Sequence, residues 1–213
     1  MNATEWKQYF ESVSPLMEEN KNYLSELDRR LGDGDHGVTM SIGWQAVQEE
    51  IKSSLSEEKD CGKIAMKVGR SFLSAVGSSV GPLYASGFIN GAKAIKNKTE
   101  LNEEDLIDFW VNFIKGVHER GQANIGDKTM LDTLLPVLSI LEGSTEPPLV
   151  RFKLALTTAE KAMISTKDMV SQKGRSSRLG ERSKGVQDPG ATSAYLIFLK
   201  FVEHSQGIAK LHH

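Results

Sequence analysis

The chain has 213 residues, 39% of them hydrophobic and 25% charged, an ordinary balance for a soluble globular protein with a sizeable core. Its net charge of −2 provides no general basic field, so neither nucleic acid nor a membrane is an expected partner. One cysteine, Cys61, rules out an internal disulfide; no run approaches the roughly 18 apolar residues of a membrane span, and MNATEWKQYF lacks the parts of a secretory leader, so a cytoplasmic location is expected.

The dominant periodicity is helical, and predicted helices cover 4–30, 37–54, 61–76, 82–97, 103–120, 128–141, 147–172 and 190–204. In the fifth, Leu106, Trp110, Phe113 and Val117 form one apolar stripe, and Asn102 with Asp105 makes a variant capping box. The seventh opens on Pro147-Pro148, with Phe152, Ala155, Leu156, Ala159 and Met163 repeating the stripe. Tyr195-Leu-Ile-Phe-Leu has strand-like composition. It follows Asp188-Pro189, an N-cap residue with proline at the first helical position, and is assigned to a buried helix. The expected fold is all-α: an eight-helix antiparallel up-and-down barrel or bundle, one domain over 1–210, while 211–213 could be a tag remnant.

Up-and-down alternation puts the turns after helices 1, 3, 5 and 7 at one end. Those turns hold Gly32-Asp33-Gly34-Asp35-His36-Gly37, Gly77-Ser78-Ser79-Val80-Gly81-Pro82, Gly121-Gln122-Ala123-Asn124-Ile125-Gly126-Asp127, and the stretch from Lys173 to Gly190. The turns at the other end are ordinary polar loops. Helices 2, 4, 6 and 8 would all begin on the glycine-rich rim, which is therefore the expected site.

Asp28, Asp33 and Asp35 crowd carboxylates that repel unless a cation lies between them. Hard oxygen ligands favour Mg²⁺ or Ca²⁺; the other reading is an acidic turn with Asp35 as a helix cap. The turn from Gly77 to Pro82 precedes a helix N-terminus, where a phosphate is favoured, or it is a plain glycine turn. Lys173, Arg175, Arg178, Arg182 and Lys184 make either a solvated face or a lid over phosphates, with Arg175 the best phosphate contact. His36 reads as a ligand, a phosphate contact or a hydrogen bonder near the cap. From residues alone, the rim is a site for a Mg–phosphate ligand.

Gly32-Asp-Gly-Asp-His-Gly37, Gly126-Asp-Lys-Thr-Met130 with Asp132, Gly174-Arg-Ser-Ser-Arg-Leu-Gly-Glu-Arg-Ser183 and Gln187-Asp-Pro-Gly-Ala-Thr-Ser193 occur in that order. Together they resemble the nucleotide-binding L subunits of dihydroxyacetone kinases, from about residue 5 to residue 204. The resemblance implies a helical barrel with ADP or ATP at one rim. It gives Asp28, Asp33 and Asp35 the catalytic role of holding two Mg²⁺ ions. It assigns His36, Gly37, Val38 and Thr39 to the nucleotide lining, Ser78, Ser79 and Val80 to the phosphate loop, and Gly121, Thr129 and Met130 to the adenine side. Arg175, Asp188, Pro189 and Gly190 complete the nucleotide contacts. The loop departs from the family pattern, with Ser78, Val80 and Ala85 standing where glycine, serine and glycine are usual.

The implied partners are a dihydroxyacetone-binding K subunit and a phosphohistidine-bearing M subunit of the phosphotransferase system; a homodimer is left open. Two other readings are a related ATP-dependent sugar or fatty-acid kinase domain and a nucleotide-binding regulator without transfer activity, which Val80 supports.

Overall fold

A computed structural model describes residues 1–211; of the suggested tag remnant, His212-His213 and the Leu211 side chain lie outside the described residues. The α-helices are α1 (Ala3–Leu31), α2 (His36–Lys52), α3 (Cys61–Ala75), α4 (Val80–Ala94), α5 (Glu103–Gly121), α6 (Met130–Gly143), α7 (Pro148–Ser165) and α8 (Pro189–Leu211). Two 3₁₀ segments, Thr166–Asp168 and Arg175–Ser183, lie between α7 and α8. Among the described residues no strand forms; Asn2 and Glu100 make an isolated bridge. No described helix is long and apolar enough to cross a membrane.

Each helix packs on its neighbour in the chain, and α8 returns onto α1 while also touching α6. The predicted stripe of α5 faces inward: Leu106, Trp110, Phe113 and Val117 are all buried. Aromatic rings fill the interior, with Trp110 centred 5.0 Å from Phe198 and 5.2 Å from Phe201, and Trp6 4.9 Å from Phe109. Tyr195 to Leu199 is helical, as expected. Asn102 and Asp105 form the reciprocal capping box, and the Asp188 carboxylate accepts the Ala191 N–H at 2.7 Å.

Most boundaries differ from expectation by one to three residues, but α8 runs on to Leu211 where 204 was expected, and two other differences have a visible cause. The seventh helix was expected to reach residue 172, but α7 ends at Ser165. Thr166 is fully buried there, its hydroxyl donating to the Met163 carbonyl at 2.6 Å and accepting the Asp188 N–H at 2.9 Å. That bond ties the end of α7 to the start of α8. The fourth helix starts at Val80, not Pro82. Pro82 is its third residue, where the missing N–H costs no intrahelical bond.

The turn between α1 and α2 is set by close backbone packing. A Cβ on Gly37 would lie 1.9 Å from the Lys21 carbonyl oxygen and 2.6 Å from Ser25 Oγ. Gly143, at the end of α6, has nothing within 4 Å of the same point. Gly37→Ala should therefore lower unfolding stability by about 1–3 kcal/mol or more, read as the denaturation midpoint. Gly143→Ala should be neutral or stabilising by up to about 1 kcal/mol.

Candidate functional site

One end of the molecule carries two adjoining hollows of about 520 Å³ and 140 Å³. They share His36, Ser79, Val80, Ser176 and Asp188 as walls. The first residues of α2, α4, α6 and α8, namely His36, Val80, Met130 and Pro189, all border one or both. Four helix N-termini therefore open on one cleft, as the alternation of directions requires. Each presents N–H groups without intrahelical partners and the positive end of its dipole.

The smaller hollow is acidic. Asp28, Asp33 and Asp35 each place a carboxylate oxygen within 4.8 Å of the others. Asp28, in the last turn of α1, accepts the His36 N–H at 3.1 Å and so caps α2 from outside. Asp35 holds the N-cap position, yet its side chain makes no capping bond. Its backbone (φ −96°, ψ −7°) is near-helical instead of extended, which turns the carboxylate away from the N–H groups. The reading of Asp35 as a cap is thus not realised, and its carboxylate is left to the hollow. Asp33 is ion-paired with Arg175. This donor set, three carboxylates without sulfur, suits a hard divalent cation such as Mg²⁺.

The larger hollow is mostly apolar. Pro82, Leu83, Gly121, Ala123, Met130 and Leu131 line it, with Arg120 and Thr129 at polar positions. Thr129 caps α6, accepting the Leu131 N–H at 3.1 Å, and Asp132 closes the box by accepting the Thr129 N–H at 2.6 Å. Lys173, Gly174 and Ser176 come over it from the basic segment.

Between the hollows lies a buried polar group. His36 Nε2 is 2.9 Å from Ser193 Oγ, which lies 3.4 Å from the Tyr84 hydroxyl. Burial pushes the His36 imidazole down to about 4, against the opposing effects of Asp28 and a hydrogen bond with the Pro189 backbone. His36 shows the hydrogen-bonding reading through Ser193 and also borders both hollows. Burial pushes the Asp188 carboxyl up to about 7; the Ala191 N–H and Lys128 oppose this, and the charges of Asp132 and Asp28 reinforce it.

Most of the expected site residues meet in this cleft. Asp28, Asp33, Asp35, Thr39, Ser78, Arg175 and Pro189 border the smaller hollow, Gly121, Thr129, Met130 and Gly190 the larger, and His36, Ser79, Val80 and Asp188 both. Gly37 and Val38 border neither: Gly37 is buried against α1, and Val38 is 41% exposed on the outer face of α2. Arg178, Arg182 and Lys184 are exposed and border neither hollow, so the solvated-face reading describes them. Sequence reasoning missed Arg120, Lys128 and Ser193. Lys128 is 1% exposed, and its ammonium donates to the carbonyls of Met169 (3.3 Å), Val186 (2.7 Å) and Ser183. The one local hint was its place inside Gly126-Asp-Lys-Thr-Met130.

A family model described as the DAK2 domain matches residues 30–203. The chain is 39% identical over 196 residues to the ADP-binding subunit DhaL of the PEP-dependent dihydroxyacetone kinase of Escherichia coli K12, covering 91% of this chain and 92% of that one. It is 32% identical over 206 residues to the DhaL subunit of PEP-dependent dihydroxyacetone kinase 2 of Listeria innocua, covering 96% and 95%. The fold resembles the crystal structure of the dihydroxyacetone kinase from C. freundii in complex with AMP-PNP and Mg²⁺, with a TM-score of 0.74 at 20% identity. That match covers 95% of this chain and 34% of the larger one, so the chain spans about a third of that kinase.

The two buried groups titrate against folding in opposite directions. The folded value of Asp188, about 7, lies above the ordinary 3.8, so its stabilising share is full in acid and lost as pH rises through about 7. That of His36, about 4, lies below 6.5, so its share is lost as pH falls from 6.5 towards 4. Asp188→Asn keeps a capping side chain but cannot ionise. Its melting temperature relative to wild type should climb steadily between pH 4 and pH 7.5; a constant difference across that window contradicts the assignment.

Proposed function

Since the chain belongs to the DAK2 domain family, we propose that it is the nucleotide-carrying subunit of a dihydroxyacetone kinase of the phosphotransferase-dependent type. It binds ADP and ATP with Mg²⁺ across the rim cleft. The observation that carries this reading is the meeting, in one cleft, of three carboxylates within 4.8 Å of one another, four helix N-termini and the Arg175 guanidinium. An anion bridged by a divalent cation satisfies both signs of charge at once.

The apolar larger hollow takes the adenine, between Leu83, Gly121 and Met130, and the smaller takes the phosphates. Asp28, Asp33 and Asp35 hold the metal, two ions by the family pattern. When bound, Mg²⁺ neutralises phosphate charge and orients the phosphate oxygens for transfer. The protein's share is orientation: the N–H groups of α4 and α8 face the phosphates, and Arg175 offers a planar fork matched to their oxygens. His36, neutral and hydrogen-bonded to Ser193, shapes the wall and is not a phosphoryl acceptor.

The sugar is held by a separate K subunit, and a phosphohistidine-bearing M subunit restores the phosphoryl group on the nucleotide. The matched relatives are named as ADP-binding subunits and are covered almost end to end, which supports a separate subunit for the sugar; a cytoplasmic setting belongs to the same proposal. The regulatory reading depended on Val80. Val80 is the first residue of α4, so its N–H faces the cleft whatever its side chain, and Ser78 and Ser79 border the smaller hollow. That favours a competent phosphate loop.

Denatured, freshly purified protein should release ADP detectable by mass spectrometry, and the loaded chain should pass phosphoryl groups to dihydroxyacetone only with K and a phosphodonor present. Protein that neither retains ADP nor binds it sinks the reading; binding without transfer under those conditions leaves only a regulator. Asp33→Asn should weaken Mg-dependent ADP binding by at least about tenfold, the lower end of the loss from disturbing even an outer shell. Val80→Ser should change it by less than about tenfold, the scale of one added hydrogen bond, both read by calorimetry.

A further inference from the structure

Lys128 is a wall residue of the larger hollow, yet it is buried with its charge-bearing end inside the protein. It stands at φ +63°, between the left-handed Gly126 and the N-cap Thr129 of α6. Its stem borders the larger hollow, while its ammonium turns to three backbone carbonyls, of Met169 at 3.3 Å, Val186 at 2.7 Å and Ser183. Three acceptors match the three donors of an ammonium. Burial pushes the Lys128 ammonium below its ordinary value, and the nearby Asp188 and Asp168 carboxyls oppose this.

All three acceptors lie at the neck of the basic segment. The same neck is pinched by Ser171 N–H to Ser183 Oγ (2.9 Å), Gly185 N–H to the Lys167 carbonyl (2.7 Å) and Gln172 N–H to the Asp127 carbonyl (3.0 Å). Beyond it, residues 172–182 form a loop that brings Lys173 to the larger hollow and Arg175 to the smaller. Beyond the neck, Leu179 packs against the buried Leu27, Leu31 and Val186, Ser176 Oγ lies 2.6 Å from Ser171 Oγ, and Arg175 is tied to Asp33 only through an exposed ion pair. Exposed pairs hold little, so the place of Lys173 and Arg175 depends on the neck, where Lys128 makes three of the hydrogen bonds.

We propose that Lys128 is a positioning residue whose ammonium locks the neck of the 172–182 loop, holding Arg175 over the phosphate half of the cleft without touching the nucleotide. This rests on the nucleotide reading for its ligand but not for the lock itself.

The test uses the whole chain with Lys128→Met, which removes the donors, and Lys128→Gly, which also accepts φ +63° without strain and so favours folding. In ligand-free protein, trypsin should cut at Lys173, Arg175, Arg178 or Arg182 about tenfold faster or more in either variant, the scale of losing one charged hydrogen-bonding partner. ADP with Mg²⁺ should bind about tenfold more weakly or worse, while adenosine, which lacks phosphates, should bind within about threefold of wild type. In Lys128→Gly, n-butylammonium, which restores the missing stem and amine, should recover ADP binding where sodium chloride of equal ionic strength does not. Unchanged loop cleavage, or equal losses for adenosine and ADP, overturns the proposal and leaves Lys128 as general scaffolding. Wild-type protein that binds no ADP defeats the nucleotide reading alone, because the ligand-free cleavage rates still decide the lock.

Discussion

Helices joined by short turns must alternate in direction, and an N-terminus is chemically unlike a C-terminus. One end of this molecule therefore gathers the starts of α2, α4, α6 and α8, and with them a set of N–H groups that no helix can satisfy internally. The partial positive charges add in one place. Asp28, Asp33 and Asp35 stand beside them, at the end of α1 and in the turn that follows. Neither the N–H groups nor the carboxylates can neutralise the other fully, because each lacks partners of the right shape. An anion carrying a divalent cation supplies both.

The two sides of the cleft are mounted differently. The acidic side sits on a hairpin whose helices meet backbone to backbone at Gly37 and Lys21, with Asp28 fastening the start of α2. The basic side is a loop fastened at its neck, with Leu179 packed on α1 and Arg175 ion-paired to Asp33 beyond it. On the proposed reading, a metal-binding face built on packed helices lies opposite a phosphate-binding loop, and both stand apart from the core, where Trp6, Trp44 and Trp110 are fully packed.

Features written in a few adjacent residues were legible in the sequence. The box of Asn102 and Asp105 and the Asp188-Pro189 start of α8 are of this kind, because capping chemistry acts within one turn. The location of the cleft was legible too, since it follows from helix order alone. What escaped depends on partners far along the chain. Gly37 read as a ligand-lining glycine, but its reason is the Lys21 carbonyl on another helix. The early end of α7 is set by the bond between Thr166 and Asp188, and Lys128 by carbonyls 41 to 58 residues away. Asp35 carried a capping residue's identity without a capping residue's backbone.

The cleft takes its walls from Asp28 near one end of the chain to Gly190 near the other, and α8 must lie on α1 for those walls to meet. No fragment of the sequence contains the site. Occupancy is consequently a report on the entire fold: a ligand held there stabilises every helix at once, by mass action, and a molecule without one lies nearer its unfolding threshold. The lifetime of the chain in a cell thus becomes tied to the supply of what it carries.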